Sequence, residues 1–142
     1  MKKLIFAILL FCCLFLEPCF AQRDISVYID NENIELDQKP VIVADRLLVP
    51  MREIFEYLDS NVEWIDESRV ILATKQNIII ALRVSTPKLI ITNVETNETK
   101  VIALDTAPQI FDNTTYVPIR AIAESFGMQV YWNAKHMKVE II

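Results

Sequence analysis

Glycine is almost absent from this chain: of 142 residues, Gly127 is the only one. Loops that cradle phosphates need backbone without a Cβ, so nucleotide sites of the glycine-rich kind are excluded, as is the G-x-S-x-G nucleophile elbow. Histidine is equally scarce, and His136 alone cannot supply the two or three imidazoles of a catalytic zinc site or of most copper sites. Cysteine is confined to Cys12, Cys13 and Cys19, so residues 22–142 contain none and must hold together by their core alone. These absences weigh against an enzyme and against a bound cofactor.

What is present begins with a leader. Lys2 and Lys3 precede thirteen consecutive apolar residues, Leu4 to Leu16, and Glu17-Pro18-Cys19-Phe20-Ala21 then breaks the run. That is the layout of a secretory signal peptide, shorter than the about 20 apolar residues needed to span a bilayer. Cleavage after Ala21 is expected, leaving residues 22–142 as the mature domain. Two alternatives stand beside it. Leu16 lies three residues before Cys19, as lipidation at Cys19 would require, although Glu17 and Pro18 occupy the positions where small residues belong. Retention as an N-terminal anchor is the other. Without the leader, 12 basic and 18 acidic residues remain, a net charge of −6, which disfavours nucleic acid and anionic membrane surfaces as partners.

The mature region contains a pattern written twice. At an offset of 68, residues 36–64 match residues 104–132 at eleven of twenty-nine positions without a gap, within repeats of approximately 34–72 and 101–142. Each copy reads Leu-Asp-x-x-Pro-x-Ile, then Val-Pro-x-Arg-x-Ile-x-Glu, then Val-x-Trp. Pro50 and Pro118 are expected at the first helical position. Met51, Ile54, Phe55 and Leu58, like Ile119, Ile122, Ala123 and Phe126, recur at the spacing of one helix face. Gly127 is expected to end the second helix in the left-handed region, with Asp59 in the same role in the first.

The remainder reads as strands. Val41–Val43 and Leu47–Val49 flank an Ala44-Asp45-Arg46 turn, and their counterparts flank Asp112-Asn113-Thr114. Ile25–Ile29 and Ile34–Leu36 form an opening hairpin. Arg69–Thr74, Ile78–Val84 and Lys88–Val94 form a meander, and Lys138–Ile142 is a final strand. Asparagine and aspartate take over the turn positions that glycine usually fills; the sequons at Asn97 and Asn113 mark exposed turns. The fold class is therefore α+β, with tandem duplicated hairpin–helix–strand units whose short helices pack on antiparallel β-sheet.

Leu36-Asp37-x-x-Pro40, Leu48-Val49-Pro50-Met51-Arg52-Glu53-Ile54 and Val62-Glu63-Trp64, with second copies through Val117-Pro118-Ile119-Arg120 and Val130-Tyr131-Trp132, resemble the copper amine oxidase N-terminal-like domain, or stalk domain. The resemblance covers nearly all of residues 22–142. It implies a non-catalytic module exported by Gram-positive bacteria, separate from the oxidase's catalytic domain. The family's usual Asn-Gly-Arg-Thr turn is altered here to Ala44-Asp45-Arg46-Leu47 and to Asp112-Asn113-Thr114-Thr115.

Arg52 and Arg120 are the candidate site residues. A cation in the first turn opposes the helix dipole, so its presence in both copies calls for a partner. The leading reading is structural: each arginine pairs with Asp37 or Asp105, or with Glu56 or Glu124 one turn on, or stacks on a tryptophan. The sharper reading is a site for an anionic group of a wall polymer or peptide. Trp64 and Trp132 are read first as core anchors and second as aromatic contacts for a sugar. Met128, His136 and Met137 as a copper(I) site, and an acidic pair as in a glycosidase, are the weakest candidates.

Three functions follow in order: a non-catalytic cell-envelope spacer or interaction domain; an extracytoplasmic binding protein for wall glycan or peptide; and a small secreted hydrolase. The expected partners are an envelope protein, a wall polymer or a second copy of the chain, with membrane attachment only through an uncleaved or lipidated N-terminus.

Overall fold

Runs of β-branched residues broken by short polar turns dominate residues 24–142, which the computed structural model describes; the expected leader, residues 1–21, lies outside them. The strands are β1 (Ser26–Ile29), β2 (Glu32–Ile34), β3 (Val41–Val43), β4 (Arg46–Pro50), β5 (Asn61–Ile65), β6 (Val70–Lys75) and β7 (Ile78–Arg83). They continue as β8 (Lys88–Asn93), β9 (Glu98–Ala103), β10 (Gln109–Phe111), β11 (Thr114–Pro118), β12 (Val130–Asn133) and β13 (Lys138–Ile141). Two short helices, α1 (Met51–Tyr57) and α2 (Ile119–Ser125), follow β4 and β11. The molecule is mostly β-sheet with two helices, an α+β architecture.

Three sheets form, ordered β12-β13-β1-β2, β10-β11-β4-β3 and β5-β6-β7-β8-β9. In the middle sheet β4 and β11 run antiparallel with Val49 opposite Val117, Leu48 opposite Pro118 and Pro50 opposite Tyr116. Val49 and Val117 are 68 positions apart, the offset at which the sequence matches itself. The hairpin partners of these strands, β3 and β10, lie outermost on either side. Each helix then crosses over: α1 packs on β11 as well as on its own β4 and β5, and α2 packs on β4 as well as on β11 and β12.

The helix stripes are buried as expected. Met51, Ile54, Phe55 and Leu58 are at most 6% exposed, and Ile119, Ile122 and Ala123 at most 2%. Phe126 is only partly buried and meets Phe55 edge-on, with ring centroids 6.4 Å apart. These side chains join Val27, Ile71, Ile80, Leu89, Val139 and Ile141 from the flanking sheets in one core. At about 1.5–3 kcal/mol per fully buried Leu, Ile, Phe or Met, that core is the main term holding a disulfide-free domain together.

Several details differ from expectation. Pro50 and Pro118 stand one residue earlier than the first helical position: each is the N-cap, with extended ψ of 122° and 109°, and closes its strand. A ring without an N–H ends a ladder as readily as it starts a helix. Ala44-Asp45 and Asp112-Asn113 make two-residue turns with φ of 47°, 60°, 45° and 63°, so Arg46 and Thr114 belong to the following strands. Asp30-Asn31, at 49° and 68°, does the same in the first hairpin, and β2 ends at Ile34 rather than Leu36. Positive φ at both central residues matches the right-handed twist of the paired strands.

Strand β9 was not among the expected strands. Its charged, mostly exposed sequence lacks alternation because it is the edge of its sheet, where charge discourages further pairing. The sheets are also not purely antiparallel: β1 and β13, from opposite ends of the domain, pair in parallel. Only strands far apart in the chain can do so without a tight turn. No helix among the described residues is long and apolar enough to cross a membrane.

Candidate functional site

Beside the β4–β11 pair, on the side where α2 follows β11, the surface opens into a cleft of about 440 Å3. Its floor is apolar, from Ile42 and Leu47 of the first hairpin and Ile119, Val130 and Val139 of the second half. Trp132 stands at its margin, 39% exposed. The expectation of a core anchor is corrected here: Trp132, toward the turn end of β12, is exposed, while Val130 at the start of the same strand is buried. Trp64 in β5 behaves differently. It is partly buried against the core and its indole N–H donates to Asp66 Oδ1 at 3.2 Å.

The polar wall of the cleft is built by Arg46, Asp105 and Arg120. Strand β4 presents Arg46, whose Nε and Nη2 both approach Asp105 Oδ2, at 2.8 and 2.7 Å. Asp105 Oδ1 has no partner among the described residues, so it stays available as an acceptor. The pair is largely solvent-exposed, and exposed ion pairs are worth about 0–1 kcal/mol; its effect is to orient two polar groups rather than to hold the fold.

Arg120 leaves the first turn of α2 and donates Nη1–H to Glu124 Oε1 at 3.4 Å and to the Val130 carbonyl at 3.0 Å. One of the expected pairings, arginine to glutamate one turn on, is therefore present for Arg120. Arg52 is exposed and has no hydrogen bond or ion pair among the described residues; neither Asp37 nor Glu56 meets it. Asp37 instead donates its backbone N–H to Glu53 Oε2 at 2.6 Å, and Asp105 pairs with Arg46 of the other hairpin rather than with Arg120.

A second depression of about 420 Å3 adjoins the first and shares Arg46, Asp105, Pro118 and Arg120 with it. Lys100, Glu124 and Thr106 extend its wall. Thr106 is buried and its Oγ1 has no hydrogen-bond partner among the described residues, which costs about 1–3 kcal/mol for a buried hydroxyl. Arg46, Lys100 and Thr106 were not singled out by the sequence. Arg46 read as a turn residue, and the others lie on or just after the unanticipated β9. The available signal was the repeat itself, because Arg46 aligns with Thr114 and the copies thus differ in charge at one hairpin position.

The weaker candidates separate. His136 is exposed in a turn with Nδ1 3.1 Å from Asn133 Oδ1, and Met128 packs against the core. Among the described residues, no cluster of three or more histidine, cysteine or acidic side chains could hold a metal ion. Tyr116 is the residue with a shifted acidity: burial, then the charges of Glu53 and Asp112, raises its phenol above the ordinary value of 10.0. Its hydroxyl donates to the Lys39 carbonyl at 3.3 Å.

The geometry is that of a sheet-built module with charged groups around two open depressions. Residues 28–141 match the copper amine oxidase N-terminal domain, and the chain belongs to that family. Domains of this family are non-catalytic stalk-type modules. No curated protein matches the chain.

Proposed function

We propose that this protein is a non-catalytic stalk domain of a Gram-positive cell envelope, exported by its N-terminal leader and acting through its surface as a spacer or interaction module. The observation that carries this reading is the family match over residues 28–141. The leader pattern of Lys2, Lys3 and the apolar run to Leu16 supports export, and the absence of cysteine from residues 22–142 suits a fold that does not depend on oxidation. We read the two hairpin–helix–strand segments as copies of one unit; the Val49–Val117 register and the symmetric strand order support that reading.

Fractionation tests it. The full chain expressed in a Gram-positive host is expected in the envelope or medium, with Gln22 as its N-terminus by mass spectrometry. An intact chain starting at Met1 in the cytosol would contradict export, and a Cys19 N-terminus carrying lipid would replace the secreted form with an anchored one.

A second reading, an extracytoplasmic binding domain for a wall polymer, is favoured by one arrangement: an exposed indole, Trp132, beside the oriented Arg46–Asp105 pair. Mature protein is then expected to be retained by isolated envelope material, with retention reduced by Trp132→Ala. Equal retention of both proteins would leave the spacer role alone.

A further inference from the structure

Resting on that second reading, we propose that the paired depressions flanking Arg46–Asp105 form one groove that binds a chain of neutral sugars. Three observations select this chemistry. The first is charge balance. Arg46, Lys100 and Arg120 face Asp45, Asp105 and Glu124 across the two depressions, three cations against three carboxylates. A phosphate or a polyanion would meet no net positive potential there, whereas a hydroxyl-rich neutral ligand finds donors and acceptors side by side.

The second observation is the amphipathic layout. Trp132, a partly exposed indole, lines the cleft with apolar Ile42, Leu47 and Ile119, and Asp105 and the guanidinium groups line it beside them. A pyranose has the matching form, with C–H groups on its faces and hydroxyls around its edge. Two adjoining volumes of about 440 and 420 Å3 on either side of the ion pair favour several sugar units over one. In the second volume, Thr106 holds its hydroxyl buried without a partner.

The third observation sets a sugar above a peptide strand. Gln129 and Ile142 exchange both backbone hydrogen bonds, so the carbonyl of the next residue, Val130, turns away from β13 toward the open edge. Arg120 already occupies that carbonyl at 3.0 Å. A docking strand would need it; a ligand recognised through side chains does not.

Tryptophan fluorescence of the mature domain tests the proposal, with Trp64→Phe leaving Trp132 as the reporter. The probes are tetramers of N-acetylglucosamine and of glucose, with galacturonic acid tetramer and tetra-alanine as comparators. Saturable binding of a neutral tetramer is expected, nearly independent of salt; by isothermal titration calorimetry, which needs no indole reporter, Trp132→Ala is expected to weaken it about tenfold or more. Asp105→Asn, at an exposed position, is expected to weaken binding with the fold intact by circular dichroism. Absence of binding by both neutral tetramers, stronger binding of the galacturonate or the peptide, or unchanged affinity in both variants would each overturn the proposal. Envelope retention that persists while the neutral tetramers fail would sink the sugar but spare the binding reading.

Discussion

Residues 36–64 and 104–132 each contain a hairpin, a helix and a strand, yet they end as different surfaces. Around the second helix, Arg46, Asp105, Arg120 and Trp132 line an open cleft. The positions that correspond around the first are Thr114, Asp37, Arg52 and Trp64, and among the described residues these share no depression; Asp37 instead lines an acidic one with Glu35, Glu53 and Glu56. Thr114 cannot reach an aspartate as an arginine does, Asp37 uses its backbone on Glu53, and Trp64 spends its N–H on Asp66. One hairpin difference, Arg46 against Thr114, thus separates the two surfaces, while β5 and β12 are both edge strands. The surroundings diverge as well: β6 pairs antiparallel with β7 in one sheet, whereas β13 pairs in parallel with β1 in the other.

The halves also share one core unequally, and the largest predicted effect tests this. Phe55 is fully buried while its counterpart is Ala123; Phe126, which matches Leu58, supplies the compensating ring from the other helix. Phe55→Ala is expected to cost about 3–5 kcal/mol in urea unfolding. Phe126→Ala is expected to cost clearly less, since part of that ring already meets water. Equal losses would mean that the helices contribute symmetrically.

The middle sheet offers a test by pH. Tyr116 in β11 is held neutral by burial and by Glu53 and Asp112, while its counterpart in β4 is Leu48. A phenol whose pKa is raised on folding stabilises the native state fully below the unfolded value of 10.0, and that stability is lost as pH rises through the folded value. Stability is therefore expected to fall above that point in wild type and less steeply in Tyr116→Phe, which itself costs about 1 kcal/mol for the lost hydrogen bond. Matching alkaline slopes in the two proteins would remove Tyr116 as the cause.

Helix ends give a smaller contrast. Gly127 and Asp59 fill the same left-handed position, at φ of 81° and 52°. A Cβ built on Gly127 meets nothing within 4 Å, so Gly127→Ala is a pure backbone effect, a loss of about 1 kcal/mol. Asp59→Gly is expected to gain less, because aspartate already tolerates the region. Thermal melts of the pair check this, and a gain from Gly127→Ala would contradict it. Smallest of all, a double-mutant cycle between Arg46 and Asp105 is expected to give a coupling under about 1 kcal/mol in stability. A larger value would make the pair a structural strut.

Much of the scaffold was legible in the sequence because its signals are local. Met51, Ile54, Phe55 and Leu58 announce a buried helix face whatever lies opposite, and Asp59, Asp112 and Asn113 announce turns through their own backbone tolerance. Strand β9 was hidden because an edge strand need not alternate, and its exposed Glu98, Thr99 and Lys100 supply no apolar pattern. The parallel pairing of β1 with β13 joins the two ends of the domain, which no local pattern encodes. The site was half legible. Arg120, Asp105 and Trp132 stood out through repetition, but repetition also promoted Arg52, Asp37 and Trp64 equally, and only packing separates the two sets. Arg46 was passed over for the opposite reason: it is the position where the copies disagree.

The indole N–H resonances of the two tryptophans in a 15N-labelled mature domain test most directly whether one half carries the site. On addition of the N-acetylglucosamine or glucose tetramer, the Trp132 signal is expected to shift while the Trp64 signal, held on Asp66, stays in place. A shift of Trp64 alone, or equal shifts of both, would contradict the account.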